Sequence, residues 1–169
     1  MKTEDLKGTD RTDFVHSPFR YPGHQMYALD TLLSIIPRHR FYIEPFCGGG
    51  SMFFGKKKAE SNWLNDVDGE LIETYKVIRN QPEELIAALL KENTSIQRYN
   101  YFKSEFTPKN SFETALRWFY LNRTSRIETT ASSKLLSVST IYAKSHQHSS
   151  FTTFFKYAIY KNLTISPRS

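Results

Sequence analysis

Apolar residues recur at helical spacing through most of this chain and run continuously in two short places. That pattern predicts helices around a small sheet. Leu29, Leu32, Leu33 and Ile36 predict a helix from Met26 to Ile36, ended by Pro37. The aromatic and β-branched run Phe41-Tyr42-Ile43 predicts a strand from Arg40 to Glu44. A helix begins near Ser51 with the apolar Met52-Phe53-Phe54, and a second strand follows at about Asn62 to Asn65. Asp68 to Arg79 is a helix with Leu71, Ile72, Tyr75 and Ile78 in one stripe. Pro82 opens the next helix at its first turn, with Leu85, Ile86, Leu89 and Leu90 apolar. Ile96 to Phe106 and Phe112 to Leu121 are further helices, with Pro108-Lys109-Asn110 turning between them. Tyr160 to Ser166 fits a late strand of the same domain. No repeats occur. The alternation of strand and helix predicts an α/β fold with a parallel sheet. With two firm strands where a full fold of this type has about six, the sheet reads as incomplete.

The chemistry gathers at the end of the first strand. Glu44-Pro45-Phe46-Cys47-Gly48-Gly49-Gly50-Ser51 reads as a strand ending in an acid, a three-glycine turn, and a helix with Ser51 as its N-cap. Glycines there allow positive φ and close approach of the backbone to a ligand. In α/β folds such a turn is where nucleotide-like cofactors bind, and it also serves as a tight strand–helix connection with no ligand. About 18 residues beyond Gly48, the second strand ends at Asn65-Asp66-Val67-Asp68. An acid about 20 residues after the turn is where the dinucleotide fold holds its ribose hydroxyls, which places Asp66 on a ribose and Asp68 as N-cap of the next helix. The plainer alternative makes both acids ordinary helix-start residues. The third glycine of G-x-G-x-x-G is missing, so a cofactor without a pyrophosphate, such as S-adenosylmethionine, fits better than a dinucleotide.

Four passages together resemble the Dam-type, adenine-specific DNA N6-methyltransferases. They are Ser17-Pro18-Phe19-Arg20-Tyr21-Pro22-Gly23, Glu44 to Ser51, Asn65 to Asp68, and Phe119-Tyr120-Leu121-Asn122-Arg123-Thr124, in that order over roughly residues 14 to 125. The resemblance implies a Rossmann-like domain, here incomplete and with an inserted helical segment. It implies use of S-adenosylmethionine to methylate the exocyclic amine of adenine in double-stranded DNA. On this likeness Tyr21, Pro22 and Gly23, with Glu44, Pro45, Phe46, Gly48 and Gly50, hold the methionine part of the cofactor. Asp66 holds the ribose, and Asn122 and Arg123 lie near the start of the DNA-recognition region.

The chain departs from the family in two places. Where members read Pro-Gly-Gly-Lys, this chain reads Pro22-Gly23-His24-Gln25, so the lysine near the cofactor and target base is lost. The family's Asp-Pro-Pro-Tyr motif, which supplies an acceptor for the amine hydrogens, an orienting carbonyl and a stacking aromatic, is absent. No aspartate follows Asp68, no glycine follows Gly69, and no acid follows Glu128. No catalytic residue is therefore assigned. After Ser125 the chain turns serine- and threonine-rich, and about a hundred glycine-free residues stand out against average usage of about 7%. The expected organisation is a loose polar segment at 1–13, a cofactor-binding half with the start of the helical DNA-recognition region at 14–125, and an atypical tail at 126–169. The tail fits a truncated or rearranged product, or an internal deletion.

Composition narrows the picture further. The length is one domain's worth. Net charge is +6 and pI about 9.4, which agrees with a nucleic-acid partner. Lys56-Lys57-Lys58 reads as a solvated helix end. The only cysteine, Cys47, excludes an intramolecular disulfide and suits a reducing cytoplasm, the expected location. With no histidine near it in sequence, it reads as a packing residue. His146 and His148, spaced two apart with no nearby Cys or acid, do not make a metal site. No apolar run approaches the roughly 20 residues of a membrane span, and the first residues lack the apolar core of a signal peptide. Three functions fit: a Dam-type methyltransferase whose catalysis is lost or depends on a second chain supplying the C-terminal half, a non-catalytic module binding S-adenosylmethionine or DNA, and an unrelated dinucleotide-binding fragment. The missing third glycine disfavours the last.

Overall fold

A computed structural model of the chain describes Ser17, Phe19, Tyr21, residues 26–125 and residues 163–165. Strands β1 (Phe41–Glu44), β2 (Ser61–Leu64) and β3 (Leu163–Ile165) form one parallel sheet in that order. Phe41 pairs with Ser61 and Glu44 with Leu64, and Asn62 pairs with Leu163. The late strand expected within Tyr160 to Ser166 therefore joins the same sheet beside β2. The other expectations for the tail, for residues 1–13 and for His146 and His148 lie outside the described residues.

Helix α1 is Met26–Ile35, α2 is Ser51–Gly55, and α3 is Gly69–Asn80. Helices α4 (Pro82–Lys91), α5 (Ile96–Asn100) and α6 (Ser111–Thr124) follow. Asp68 caps α3 by accepting the Leu71 N–H at 3.1 Å, and Pro82 opens α4, where neither a missing N–H nor a fixed φ costs anything. The stripe Leu71, Ile72, Tyr75 and Ile78 is buried against α6, with Phe119 and Tyr120 also inside. In α4, Leu85 and Leu89 are buried whereas Leu90 faces solvent.

The helix expected from Ile96 to Phe106 changes character midway. Tyr101–Glu105 is a π-helical turn, closed by the Phe106 N–H donating to the Tyr101 carbonyl at 2.8 Å. Widening the turn leaves the Phe102 carbonyl without its helical donor, and the Arg117 guanidinium takes it at 2.8 Å. The same guanidinium pairs with Glu70 at 2.9 Å, so α6 is held to α3 and to the π turn at once.

The sheet has one covered and one open face. Asn62 and Leu64 are fully buried, with Tyr42 and Glu44 beside them. On the other face Phe41 is 70% exposed, Ile43 64% and Trp63 46%. Parallel sheets are ordinarily covered on both faces, so among the described residues this one is half-dressed, as its low strand count implies.

Candidate functional site

The glycine turn between β1 and α2 is built to be tight. Gly48 has φ +47° and Gly50 has φ +69°, the left-handed region that L side chains rarely adopt. A Cβ on Gly50 would lie 2.7 Å from the Tyr75 hydroxyl, and one on Gly48 would lie 2.9 Å from the Tyr21 ring. Gly50, rather than the expected Ser51, is the N-cap of α2, and Ser51 is the first helical residue. The left-handed backbone required beneath Tyr75 decides this against the usual preference for serine. The Ser17 hydroxyl donates to the Gly49 carbonyl and accepts the Phe19 N–H at 3.1 Å. Part of the first sequence motif, Ser17 and Tyr21, therefore sits directly over the turn. Pro22, Gly23, His24 and Gln25 lie outside the described residues.

Asp66 joins the second strand to this turn. It is 6% exposed. One carboxylate oxygen accepts the Gly48 N–H at 2.7 Å and the other accepts the Asp68 N–H at 3.1 Å. The Gly48 carbonyl accepts from the Tyr75 hydroxyl at 2.9 Å. Both polar groups of Gly48 are thus used inside the protein, and the space a side chain would take lies against the Tyr21 ring. Each Asp66 oxygen keeps a second lone-pair direction for a hydroxyl. The Cys47 N–H donates to the Asn65 carbonyl at 2.9 Å, and the Asn65 side-chain amide to the Pro45 carbonyl at 3.1 Å, which fastens the two strand ends side by side.

Two apolar side chains stand exposed on those adjoining loops, Phe46 at 84% and Val67 at 73%. Phe46 belongs to the sequence-predicted set. Val67 was not signalled: a single apolar residue between two aspartates carries no periodicity.

Glu44 turns beneath α2. Its carboxylate accepts the Tyr42 hydroxyl at 3.1 Å and the backbone N–H of Phe53. Burial pushes its pKa up to about 7, against the lowering effect of Tyr42, Lys56 and Phe53. Lys56 is no solvated helix end. Its ammonium lies 4.1 Å above the Tyr42 ring and donates to the Asn62 side chain at 2.9 Å, and burial lowers its pKa to about 8. Lys57 and Lys58 are exposed. Cys47 is buried, and its thiol is pushed up to about 12, first by burial and then by Asp66 and Glu44. That suits packing and opposes a nucleophilic role.

Glu44 and Lys56 set a pH dependence of stability. Glu44 rises from 4.5 to about 7, so its contribution is full below about pH 4.5 and lost as pH rises through 7. Lys56 falls from 10.5 to about 8, so its contribution is full above about pH 10.5 and lost as pH falls through 8. These two groups predict a stability minimum between about pH 7 and 8. Thermal melts should show Glu44→Gln gaining on the parent protein between pH 5 and pH 7.5. An unchanged difference across that range would contradict the assignment.

Asn122 and Arg123 occupy the last turn of α6, both partly buried and one turn beyond Trp118. Among the described residues no cluster of His, Cys, Asp and Glu could hold a metal ion, and no helix is long and apolar enough to cross a membrane.

Comparison with known proteins points to one family. A family model described as D12 class N6 adenine-specific DNA methyltransferase matches residues 21–164. The DNA N-6-adenine-methyltransferase of Escherichia phage P1 is 30% identical over 111 residues, which are 66% of this chain and 14% of that protein. The DNA adenine methylase of Escherichia coli (strain K12) is 27% identical over 109 residues, 62% of this chain and 39% of that protein. The type II methyltransferase M1.LlaDCHI of Lactococcus lactis subsp. cremoris is 33% identical over 85 residues, 49% of this chain and 28% of that protein. The chain thus spans well under half the length of these curated relatives.

Proposed function

We propose that this chain, which belongs to the D12 class N6 adenine-specific DNA methyltransferase family, forms the S-adenosylmethionine-binding half of an enzyme that methylates N6 of adenine in DNA. The observation that carries the reading is the clamp between Gly48 and Asp66, 2.7 Å long and buried. It brings a side-chain-free turn and a carboxylate with spare acceptor capacity to one corner at the carboxyl ends of two parallel strands.

The residues present fit that cofactor. Asp66 would accept the two ribose hydroxyls. Phe46 and Val67, exposed on adjoining loops, would flank the adenine ring and be covered by it. Gly48, Gly50, Pro45 and Tyr21 would line the methionine part; Pro22 and Gly23, which the resemblance adds, lie outside the described residues. Glu44 would favour the positive charge of the ligand, since a nearby cation restores the ionised form that burial disfavours. The cofactor supplies an electrophilic methyl group on its sulfonium. This chain's part is to bind and orient it and to exclude water. Asn122 and Arg123, at the end of α6, would meet the DNA.

The face bearing Phe41, Ile43 and Trp63, open among the described residues, is suited to cover by further polypeptide, such as a second chain that carries an Asp-Pro-Pro-Tyr motif. The alternative is a module that binds S-adenosylmethionine or DNA without chemistry. Mixing the chain with a candidate catalytic half and assaying methyl transfer separates the two readings.

Cofactor affinity is expected to be weak, because the first motif has Gln25 in place of lysine and the far wall of the pocket is not provided by the motifs present. Calorimetric titration with S-adenosylmethionine tests this. Low-micromolar binding would mean a more complete pocket than the motifs provide, and no heat at any concentration would overturn the cofactor reading.

Binding to DNA is expected to be independent of sequence and to weaken steeply with salt, as phosphate contacts release counterions. Arg123→Ala should reduce the slope of log affinity against log salt by about 1. Anisotropy titrations over a range of salt concentrations would show it. Affinity that ignores salt, or that strongly prefers one short site, would contradict it.

A further inference from the structure

We propose that Trp118 is a positioning residue for the cofactor pocket, its indole N–H holding the acid pair Asp66 and Asp68 in place from the inserted helical segment. The inference rests on the cofactor reading of Asp66 and the glycine turn. Trp118 lies on α6, far in sequence from the turn, and its periodicity alone marks it as an ordinary core aromatic.

Its Nε1–H donates to one Asp68 carboxylate oxygen at 3.3 Å. The other oxygen accepts the Leu71 N–H at 3.1 Å and caps α3. The Asp68 backbone N–H donates to Asp66 at 3.1 Å, and the second Asp66 oxygen accepts the Gly48 N–H at 2.7 Å. Four hydrogen bonds thus link α6 and the start of α3 to the glycine turn. The capping bond by itself leaves the Asp68 carboxylate broad freedom about its last torsion. A bond to the opposite oxygen removes that freedom and fixes the backbone between Asp66 and Asp68.

Packing follows the same route. The Trp118 ring meets Phe19 edge-on at 5.0 Å, and Phe19 meets Tyr75 at 5.1 Å. The Tyr75 hydroxyl in turn donates to the Gly48 carbonyl. Phenylalanine at position 118 would preserve the ring contact. Only tryptophan supplies both the apolar ring and an N–H aimed at a carboxylate.

The test is a double-mutant cycle on cofactor affinity in the full chain. Trp118→Phe removes the N–H and keeps the ring against Phe19. Asp68→Asn keeps a good N-cap residue and replaces the oxygen facing Trp118 with a donor. Titrating S-adenosylmethionine into the four proteins, we expect Trp118→Phe to weaken binding roughly three- to tenfold, within the range seen for coupled neighbours. The double variant should bind no more weakly than Asp68→Asn. The chain has two tryptophans, so Trp63→Phe isolates Trp118, whose emission should shift on cofactor addition and lose that shift with Asp68→Asn. This readout does not require the Trp118→Phe protein to fold. Unaltered affinity in Trp118→Phe, a full loss persisting in the Asp68→Asn background, or unchanged Trp118 emission at saturation would each overturn the proposal. No heat with the unsubstituted chain would overturn the cofactor reading and the proposal together, whereas heat with an unaltered Trp118→Phe titration overturns the proposal alone.

Discussion

Asp66→Ala is expected to lower the free energy of unfolding by about 2–6 kcal/mol. The side chain is 6% exposed and accepts two backbone N–H groups, from Gly48 and from Asp68. Removing it strands both donors, at about 1–3 kcal/mol for each unsatisfied group. It also removes one of the ties between the glycine turn and the end of β2, leaving those made by Asn65. Asp66→Asn should fall between the two proteins, because one amide oxygen can serve one donor while the amide nitrogen faces the other. Urea unfolding of the three proteins measures this directly. A loss below about 0.5 kcal/mol in Asp66→Ala, the size of an ordinary surface substitution, would mean that Asp66 does not hold the turn. Cofactor affinity should be compared in Asp66→Asn as well, which keeps more of the turn's support and so reports more directly on the proposed ribose contact.

The structural role of Asp66 was not legible in the sequence, which pointed only to the proposed ribose contact. Its spacing from Gly48 marks a ribose acceptor, whereas its bonds to two backbone N–H groups depend on how the turn folds back on β2. Asp68 was fully legible as an N-cap, because an aspartate immediately before an apolar-periodic segment is a local signal. Ser51 misled for the complementary reason. The local rule favours serine, but the cap fell on Gly50 because Tyr75, from a distant helix, occupies the space a Cβ would need. The π turn at Tyr101–Glu105 left no trace in the pattern, since one extra residue in a turn barely shifts a 3.6-residue period. What stabilises it, Arg117 reaching the Phe102 carbonyl, is contributed from 15 residues away in sequence.

The sheet gives a similar lesson. Phe41-Tyr42-Ile43 reads as a strand with both faces apolar, the pattern of a buried parallel strand. The strand forms, yet Phe41 and Ile43 remain 70% and 64% exposed. Composition specifies what a strand is suited to touch, and not whether the partner is at hand. Lys56 shows the same limit for charge. A lysine run after a short helix reads as solvated, whereas its first member folds back over the Tyr42 ring and onto Asn62, close enough to Glu44 for each to bias the other's ionisation.

The isolated 169-residue chain is expected to transfer no methyl group to adenine. Rate in such a reaction depends on holding two reactants together, and the residues proposed for the cofactor would hold only one. On the proposed reading, Asp66, the glycine turn, Phe46 and Val67 would orient the cofactor. The amine of a flipped adenine needs an acceptor for its hydrogens, a carbonyl to direct its lone pair and an aromatic face to stack on. The Asp-Pro-Pro-Tyr motif that meets those needs in the family is absent from the sequence, and no aspartate follows Asp68. Orientation in attack geometry is worth about 7–11 kcal/mol of barrier, which corresponds to roughly five to eight powers of ten in rate. Cofactor binding alone recovers none of the part that belongs to the base. Incubation of the purified chain with tritiated cofactor and unmethylated DNA should therefore leave adenine unlabelled, at the level of an Asp66→Ala control. Label above that control with no second protein added would sink the expectation and place an unrecognised catalytic loop within residues 126–169. Label appearing only when a chain bearing Asp-Pro-Pro-Tyr is mixed in would instead identify the missing reactant-holder as a separate polypeptide.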